Sequence, residues 1–492
     1  MVSLLDRPTG RLEQGRTMRS NWKVLAAGLV CSLALLATAC SSGSSSGGGG
    51  SSKETSPGVT ETEIKIGVAV SDLDGLRASG ISLAPALTTG NLSKRITSYF
   101  DEWNAAGGIQ GRKVVPVVIT WDPVKPATQE KVCADATINN ELLAFVNANG
   151  MGAKYIQCIS DAGVPVFFGD TAPLAAYAND TLTTIAAPVE IMASAGTQGA
   201  IDAGTITKTT KVGILNGNGP EHIASTAAVK KVLAKAGVPD SNITTVNVNT
   251  LVGDPAVASS EAAAAVNTFK AAGVTNVLVG LQFTSSTGFW DNVKPDTFKY
   301  TILDTASSNC TQYGAARVKP SAIGATCYTV FGDSVDKNGL RPETAFEKEC
   351  RAKFDALSAK TNDYPSKSYP GVPSGDTIKL ADGTILSSDY PPNECTFVTI
   401  FKRAFDAIGK KAITRESFMK AVRNLGAVDI ALASDGKGSQ SPGKVYLSDY
   451  IHGDLLTPAS KDTPRSANGT WNGCPTPVNC FVPATPWSKL VF

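Results

Sequence analysis

The sequence predicts an α/β protein of two lobes, each a parallel sheet flanked by helices. Two observations predict it. Short apolar runs bounded by Gly or Asp alternate with stretches whose apolar residues recur at spacings of three and four, the pattern of buried strands between covering helices. The series runs from Ile64 to Phe168 and starts again near Pro188, giving two sets of similar size, and 492 residues suffice for two cores.

The first run, Ile64 to Val70, reads as a buried strand. A helix follows from about Ser93 to Ala106, with Ile96, Tyr99, Phe100 and Trp103 on one stripe and Gly107 and Gly108 ending it. Strand Lys113 to Ile119, helix Pro126 to Asn139, strand Leu142 to Asn147, helix Lys154 to Asp161 and strand Val164 to Phe168 complete the first set. The second set has helix Glu190 to Ala203, strand Lys211 to Leu215, helix Ile223 to Ala236, strand Ile243 to Val248, helix Pro255 to Ala272, and strands Asn276 to Leu281 and Tyr300 to Asp304. Strands separated by helices pair in parallel with both faces covered.

Farther on, a helix is expected from Glu343 to Ala359, then a Pro- and Gly-rich stretch from Asp363 to Asn393 in which Asp382-Gly383 separates two apolar runs as a hairpin turn does. Helices Phe397 to Ile408 and Arg415 to Asn424 follow, and 456–492, rich in turn formers, reads as irregular.

The N-terminus reads as an export signal beginning at Met18. Arg19 and Lys23 precede an apolar run, Val24 to Leu36, and the small residues Ala37, Thr38 and Ala39 lead to Cys40. The run is shorter than the ~20 residues that span a bilayer. The Leu-Ala-Thr-Ala-Cys end resembles the bacterial lipobox, which implies lipidation of Cys40 and a signal over 1–40; ordinary cleavage is the other reading. The Ser- and Gly-rich 41–60 stretch has the composition of a flexible tether.

Beyond Cys31 and Cys40, eight cysteines remain, and an even number in an exported chain favours disulfides. Among many connectivities, sequential pairing closes the shortest loops: Cys133 with Cys158, Cys310 with Cys327, Cys350 with Cys395, and Cys474 with Cys480. With no CxxC and two histidines, no metal site and no cofactor is expected. The balance of 45 basic against 43 acidic residues gives no ground for a nucleic-acid partner. The sequence also lacks G-x-S-x-G, Walker A, H-E-x-x-H and G-x-G-x-x-G patterns, so it is read as a non-enzyme.

The segment Tyr99 to Val114, YFDEWNAAGGIQGRKV, is physically an amphipathic helix, a double-Gly cap and a turn into a strand. It also closely resembles the corresponding motif of type I periplasmic binding proteins of the branched-chain amino-acid family. Ile119 to Pro123, ITWDP, and Ala162 to Pro173, AGVPVFFGDTAP, resemble two further family segments. The resemblance runs from about Ile64 to Ile451 and implies the two-lobe type I periplasmic-binding-protein fold, with a hinge crossed more than once. It implies a monomeric solute-binding lipoprotein of an ABC importer, held to the cell membrane and serving permease subunits. The expected division is 61–187 with 323–410 as lobe 1, 188–322 with 411–455 as lobe 2, and 456–492 as a stapled tail.

In relatives, the first lobe holds a ligand carboxylate through main-chain N–H groups and hydroxyls at strand-to-helix turns. The matching positions are Asn149, Gly150 and Met151, and Gly169 with Thr171. Asn149 stands where relatives have Ser, and a helix N-cap is its other reading. In the second lobe, Glu221 and His222 occupy a turn where relatives place a Tyr, and Gly280 to Ser286 lacks the relatives' ammonium-pairing acid. A buried ammonium needs a counter-charge, which leaves Glu221 to supply it or the solute to lack the ammonium. Gln282 and Phe283 read as a hydrogen-bonding group and a stacking wall, or as a helix entrance. A sensor domain of the same fold, an exported hydrolase using His222, and a scaffold without a ligand are the rival functions.

Overall fold

Five strands build the first sheet: β1 (Glu63–Ser71), β2 (Lys113–Trp121), β3 (Ala144–Asn147), β4 (Val166–Phe168) and β5 (Leu182–Thr184). They pair in parallel in the order β2-β1-β3-β4-β5. Every residue of β3, β4 and β5 is buried, as in a parallel strand covered on both faces. The computed structural model describes residues 56–78, 88–122, 125–148, 151–250, 255–305, 310, 320–332, 335–336, 339–340, 343–361, 377–379, 385–387, 392–458 and 480–490.

Helices α1 (Leu73–Ala78), α2 (Thr89–Ala105), α3 (Pro126–Ala134) and α4 (Ala153–Asp161) cover this sheet. The helix expected to reach Asn139 turns into a five-residue π turn at Asp135–Asn139. On one face Ile96, Phe100 and Phe167 pack in a single core; on the other Trp121, Phe145, Ile156 and Phe168 form a second.

The second set gives α5 (Val189–Asp202), β6 (Val212–Gly217), α6 (Pro220–Lys235), β7 (Ile243–Val248), α7 (Pro255–Ala271), β8 (Asn276–Val279), α8 (Phe283–Asn292), β9 (Lys299–Leu303) and β10 (Thr326–Thr329). Their strands run parallel in the order β7-β6-β8-β9-β10. Cores on its two faces are built around Phe269, Phe289 and Ile302, and around Met192, Ile214 and Tyr328.

Beyond β10 come a short pair, β11 (Val335–Asp336) with β12 (Gly339–Leu340), then α9 (Ala345–Thr361). Thr377–Lys379 (β13) pairs antiparallel with Ile385–Ser387 (β14), flanking the expected Asp382-Gly383 turn, which itself lies outside the described residues. Then follow α10 (Pro392–Ile408), α11 (Arg415–Arg423), the antiparallel pair β15 (Gly426–Asp429) and β16 (Lys437–Gln440), and β17 (Tyr450–Thr457), β18 (Cys480–Pro483) and β19 (Ser488–Lys489).

Two stretches fall on the other side of the expected lobe boundaries. Residues 326–329, placed by expectation in lobe 1, are β10 of the second sheet. Conversely, α11 and β15, expected in lobe 2, bury Phe418, Met419, Val422 and Val428 in the first-lobe core, where Phe167 meets Phe397, Phe401 and Phe418 edge to face. The expected irregular tail also supplies β18 and β19, which pair antiparallel with β17 and bury Phe481 against the second sheet. Short strands defined by a distant partner leave little local pattern.

Disulfides join Cys133 to Cys158, Cys310 to Cys327 and Cys350 to Cys395, the shortest-loop pairs. Cys40 and Cys474 lie outside the described residues, as does the Cys480 side chain. Among the described residues no helix is long and apolar enough to cross a membrane.

Candidate functional site

In an open parallel sheet, ligands bind beyond the C-terminal strand ends where the strand order reverses. The first sheet reverses at β1, between β2 and β3, and the second at β6, between β7 and β8. The candidate site is therefore built from the turns after β1 and β3 in one lobe and after β6 and β8 in the other, with the turn after β4 beside the former.

After β1, Asp72 accepts from the Gly75 N–H at 2.9 Å and the Thr89 hydroxyl at 3.3 Å, so it organises its own turn. Asn149 and Gly150, which follow β3, lie outside the described residues. Met151 is 2% exposed and packs in the core that holds Trp121 and Phe168.

Gly169 donates its N–H to Asn147 O at 2.8 Å. A Cβ there would sit 2.2 Å from Ala148 O and 2.8 Å from Asn393 Nδ2, so only glycine fits. Thr171 is buried; its N–H meets Asp170 Oδ1 at 2.8 Å and its hydroxyl donates to Ala187 O, at the first crossing between lobes. The hydroxyl oxygen keeps acceptor capacity.

After β6, Asn216 is fully buried and organises the turn, bonding Ser225, Thr226, the Gly217 N–H and His222. His222 Nδ1 lies 2.6 Å from Asn216 Oδ1, and Nε2 lies 3.5 Å from Glu221 Oε1. Burial pushes the His222 imidazolium below its ordinary range, opposed by the Glu221 carboxylate. Gln282 is exposed and its carbonyl accepts from the Ser285 and Ser286 N–H groups, which makes it the N-cap residue of α8. The Phe283 side chain lies outside the described residues.

The crossings are stitched to one another. Leu447 N donates to Thr184 O at 2.8 Å, and Ser448 bonds Ile185 O through both its N–H and hydroxyl. Ser434 N donates to Val330 O at 2.6 Å, while its hydroxyl oxygen accepts from the N–H groups of Asp449 and Tyr450 at 2.7 and 2.8 Å. Leu432, Ser434 and Asp435 hold φ near +54°, a costly backbone that the surrounding bonds must enforce.

Two residues escaped the sequence reading. Asn216, a polar residue in an otherwise apolar run, carried a signal. Asn393 carried none: α10 brings it from 245 positions away to donate to Ala148 O at 3.0 Å, against Gly169.

No family model and no curated protein matches the chain. The fold does match solved structures. A fatty acid ABC transporter substrate-binding protein from Thermomonospora curvata is 16% identical with a TM-score of 0.56, over 89% of this chain and 95% of that one. A solute-binding protein from Rhodopseudomonas palustris BisB5 in complex with 3,4-dihydroxybenzoic acid is 12% identical with a TM-score of 0.54, over 87% and 98%. A leucine-binding protein from Thermotoga maritima MSB8 is 10% identical with a TM-score of 0.52, over 80% and 95%. The chain thus has the two-lobe type I periplasmic-binding-protein fold, and the neighbours that share it are solute-binding proteins of ABC transporters.

Proposed function

We propose that the chain is an extracytoplasmic solute-binding lipoprotein of an ABC importer, acting as a monomer. It closes its two lobes on a small amino-acid-like or carboxylate solute and delivers that solute to membrane permease subunits. The observation that carries the reading is the hinge: crossings hydrogen-bonded to one another join two parallel sheets, each with a switch point at its C-terminal strand ends. Such a joint lets two rigid bodies rotate without breaking either core.

In this reading Asn149, Gly150, Met151, Gly169 and Thr171 form the first-lobe side, where the Thr171 hydroxyl oxygen keeps acceptor capacity while its proton and the Gly169 N–H are committed within the chain. Glu221, Gln282 and Phe283 line the second. Cys40, lipidated, anchors the protein, and the Ser- and Gly-rich stretch after it is the tether.

The test is a thermal-shift screen of the exported domain against amino acids, amides and aromatic acids, followed by small-angle scattering of any hit. A solute that raises the melting temperature and contracts the particle supports the reading. A domain that no member of the library stabilises or contracts contradicts it.

A further inference from the structure

A cavity of about 210 Å³ lies between helices α2, α9 and α10. None of its walls belongs to the turns after β1, β3 or β4, so it is separate from the cleft between the lobes. The walls are Tyr99, Trp103, Phe346 and Val398, with the Cys350–Cys395 disulfide that ties α9 to α10. An apolar protein cavity of about 150 Å³ holds one benzene molecule, so this space suits a single substituted ring. Aromatic walls offer such a ring both face and edge contacts.

The polar atoms of these walls are donors without acceptors. Trp103 is 8% exposed, and its indole N–H, which can only donate, meets no acceptor among the described residues. The Tyr99 hydroxyl is buried without a hydrogen-bond partner. Burial, reinforced by the Glu394 and Glu102 carboxylates, raises the Tyr99 phenol above its ordinary range, so it keeps its proton at neutral pH.

The cations of the lining differ in their partners. Lys353 lies 3.0 Å from Glu102, and Lys402 lies 2.6 Å from Asp406. Arg403 instead donates to two uncharged acceptors, Ala427 O at 2.9 Å and Leu425 O at 3.0 Å. Among the described residues no carboxylate pairs with its guanidinium, and Nε and a hydrogen on each terminal nitrogen remain to donate. Glu349, the acid in the lining, is exposed, where water and salt screen its charge.

We propose that this cavity is a second small-molecule site, independent of the cleft, and that it takes one aromatic monocarboxylate, with the ring against Tyr99, Trp103 and Phe346 and the carboxylate on Arg403. The class follows from complementarity. A guanidinium without a carboxylate partner favours a planar anion that accepts from two N–H groups at once. Unpartnered donors on two aromatic walls favour acceptors over further donors, and an amine in the same place would face a like charge.

The test is 19F NMR of residues 52–492 labelled with 5-fluorotryptophan and titrated with sodium benzoate, benzamide or benzylamine. The Trp103 resonance is the one that Trp103→Phe removes. Benzoate is expected to shift it with a Kd of about 1 mM or tighter, and at least about tenfold tighter than either uncharged benzamide or cationic benzylamine. Arg403→Met should weaken benzoate about tenfold. Because Arg403 also holds two main-chain carbonyls, Phe346→Ala, which trims a half-buried wall, gives a second reading: it should weaken benzoate about fivefold while the other tryptophan resonances stay in place. A Trp103 resonance that about 10 mM benzoate does not move overturns the proposal, and so does equal affinity for benzamide or benzylamine. Benzoate affinity unchanged in both variants overturns it as well. Benzoate that moves other tryptophans but not Trp103 has entered elsewhere, which overturns this site and leaves the solute-binding reading standing.

Discussion

At the end of β4 in the first lobe, Gly169 and Thr171 direct their polar groups at the chain itself: one N–H to Asn147 O, one hydroxyl to Ala187 O. At the end of β6 in the second lobe, the inward bonds belong to Asn216, and Glu221 Oε1 and His222 Nε2 are left at the turn 3.5 Å apart. The first edge is defined by backbone geometry that side chains protect. The second is defined by side chains that a buried amide orients. Substitutions in the first should therefore act on stability before binding, and those in the second on binding before stability.

The largest effect should come from Arg423, which ties the first lobe to the strand pair leading into the last crossing. Its side chain is 4% exposed and donates to Asp180, Thr183 and Leu182 on one side and to Gln440 on the other. Arg423→Met leaves the Leu182, Thr183 and Gln440 acceptors buried without their donor and should cost about 3 kcal/mol in chemical denaturation. A loss below about 1 kcal/mol would break the claim that the first lobe is held this way.

Next is Gly169→Ala, which drives a methyl group into Ala148 O and should cost about 2 kcal/mol of stability as well as weaken solute binding. If binding falls with no loss of stability, Gly169 is a ligand contact rather than a backbone constraint.

Lys444 gives a pH-dependent effect in the hairpin between β16 and β17. Its Nζ donates to the carbonyls of Ser439, Tyr446 and Leu447 and lies 3.1 Å from Asp449. Burial holds its ammonium down to about 8, against the pull of Asp449. Between about pH 8 and the ordinary lysine value near 10.4 the unfolded chain binds a proton that the native chain does not. Stability should therefore rise with pH across that window, and Lys444→Met should flatten the rise in denaturation curves taken from pH 7 to 10.5.

The smallest stability effect belongs to Glu221→Gln, expected within about 0.5 kcal/mol of the parent because the side chain is partly exposed and its ion pair among the described residues is with His222 at 3.5 Å. A cost above about 1 kcal/mol would place Glu221 among the structural residues and erase the contrast between the lobes.

The same contrast explains what could be read from the sequence. The βα alternation was legible because helix stripes and buried strands leave local periodicities, and the segment around Gly107 to Lys113 was legible because its geometry is stringent. Gln110, at φ +54°, donates to the carbonyls of Gly409 and Lys411, and Arg112, 2% exposed, donates to Thr60 O. A Cβ on Gly108 would lie 2.0 Å from Arg112 O. The most recognisable motif in the chain is thus a clamp that locks the C-terminal end of α10 onto the first lobe.

β5, β10 and β18 were not legible, since Leu-Thr-Thr, Thr-Cys-Tyr-Thr and Cys-Phe-Val-Pro lack the apolar run that marks β4 or β8 and their burial is set by partners far along the chain. For the same reason α11 was expected in the wrong lobe: its apolar stripe says that it packs, not against what. At the site, the turn after β6 could be picked out from its glycines and charges, but the orientation of the Asn216 amide depends on Ser225, Thr226 and Gly280 at once. Asn393 depends on the path of α10. Neither exists before the fold does.

The central claim, a two-lobed body that closes on a solute, is tested most directly by native mass spectrometry of residues 52–492, purified without denaturant and with the disulfides intact, followed by identification of any small molecule released on unfolding. The account predicts one solute per chain, with occupancy reduced in Glu221→Gln. An empty protein that also takes up no member of a metabolite library would contradict it.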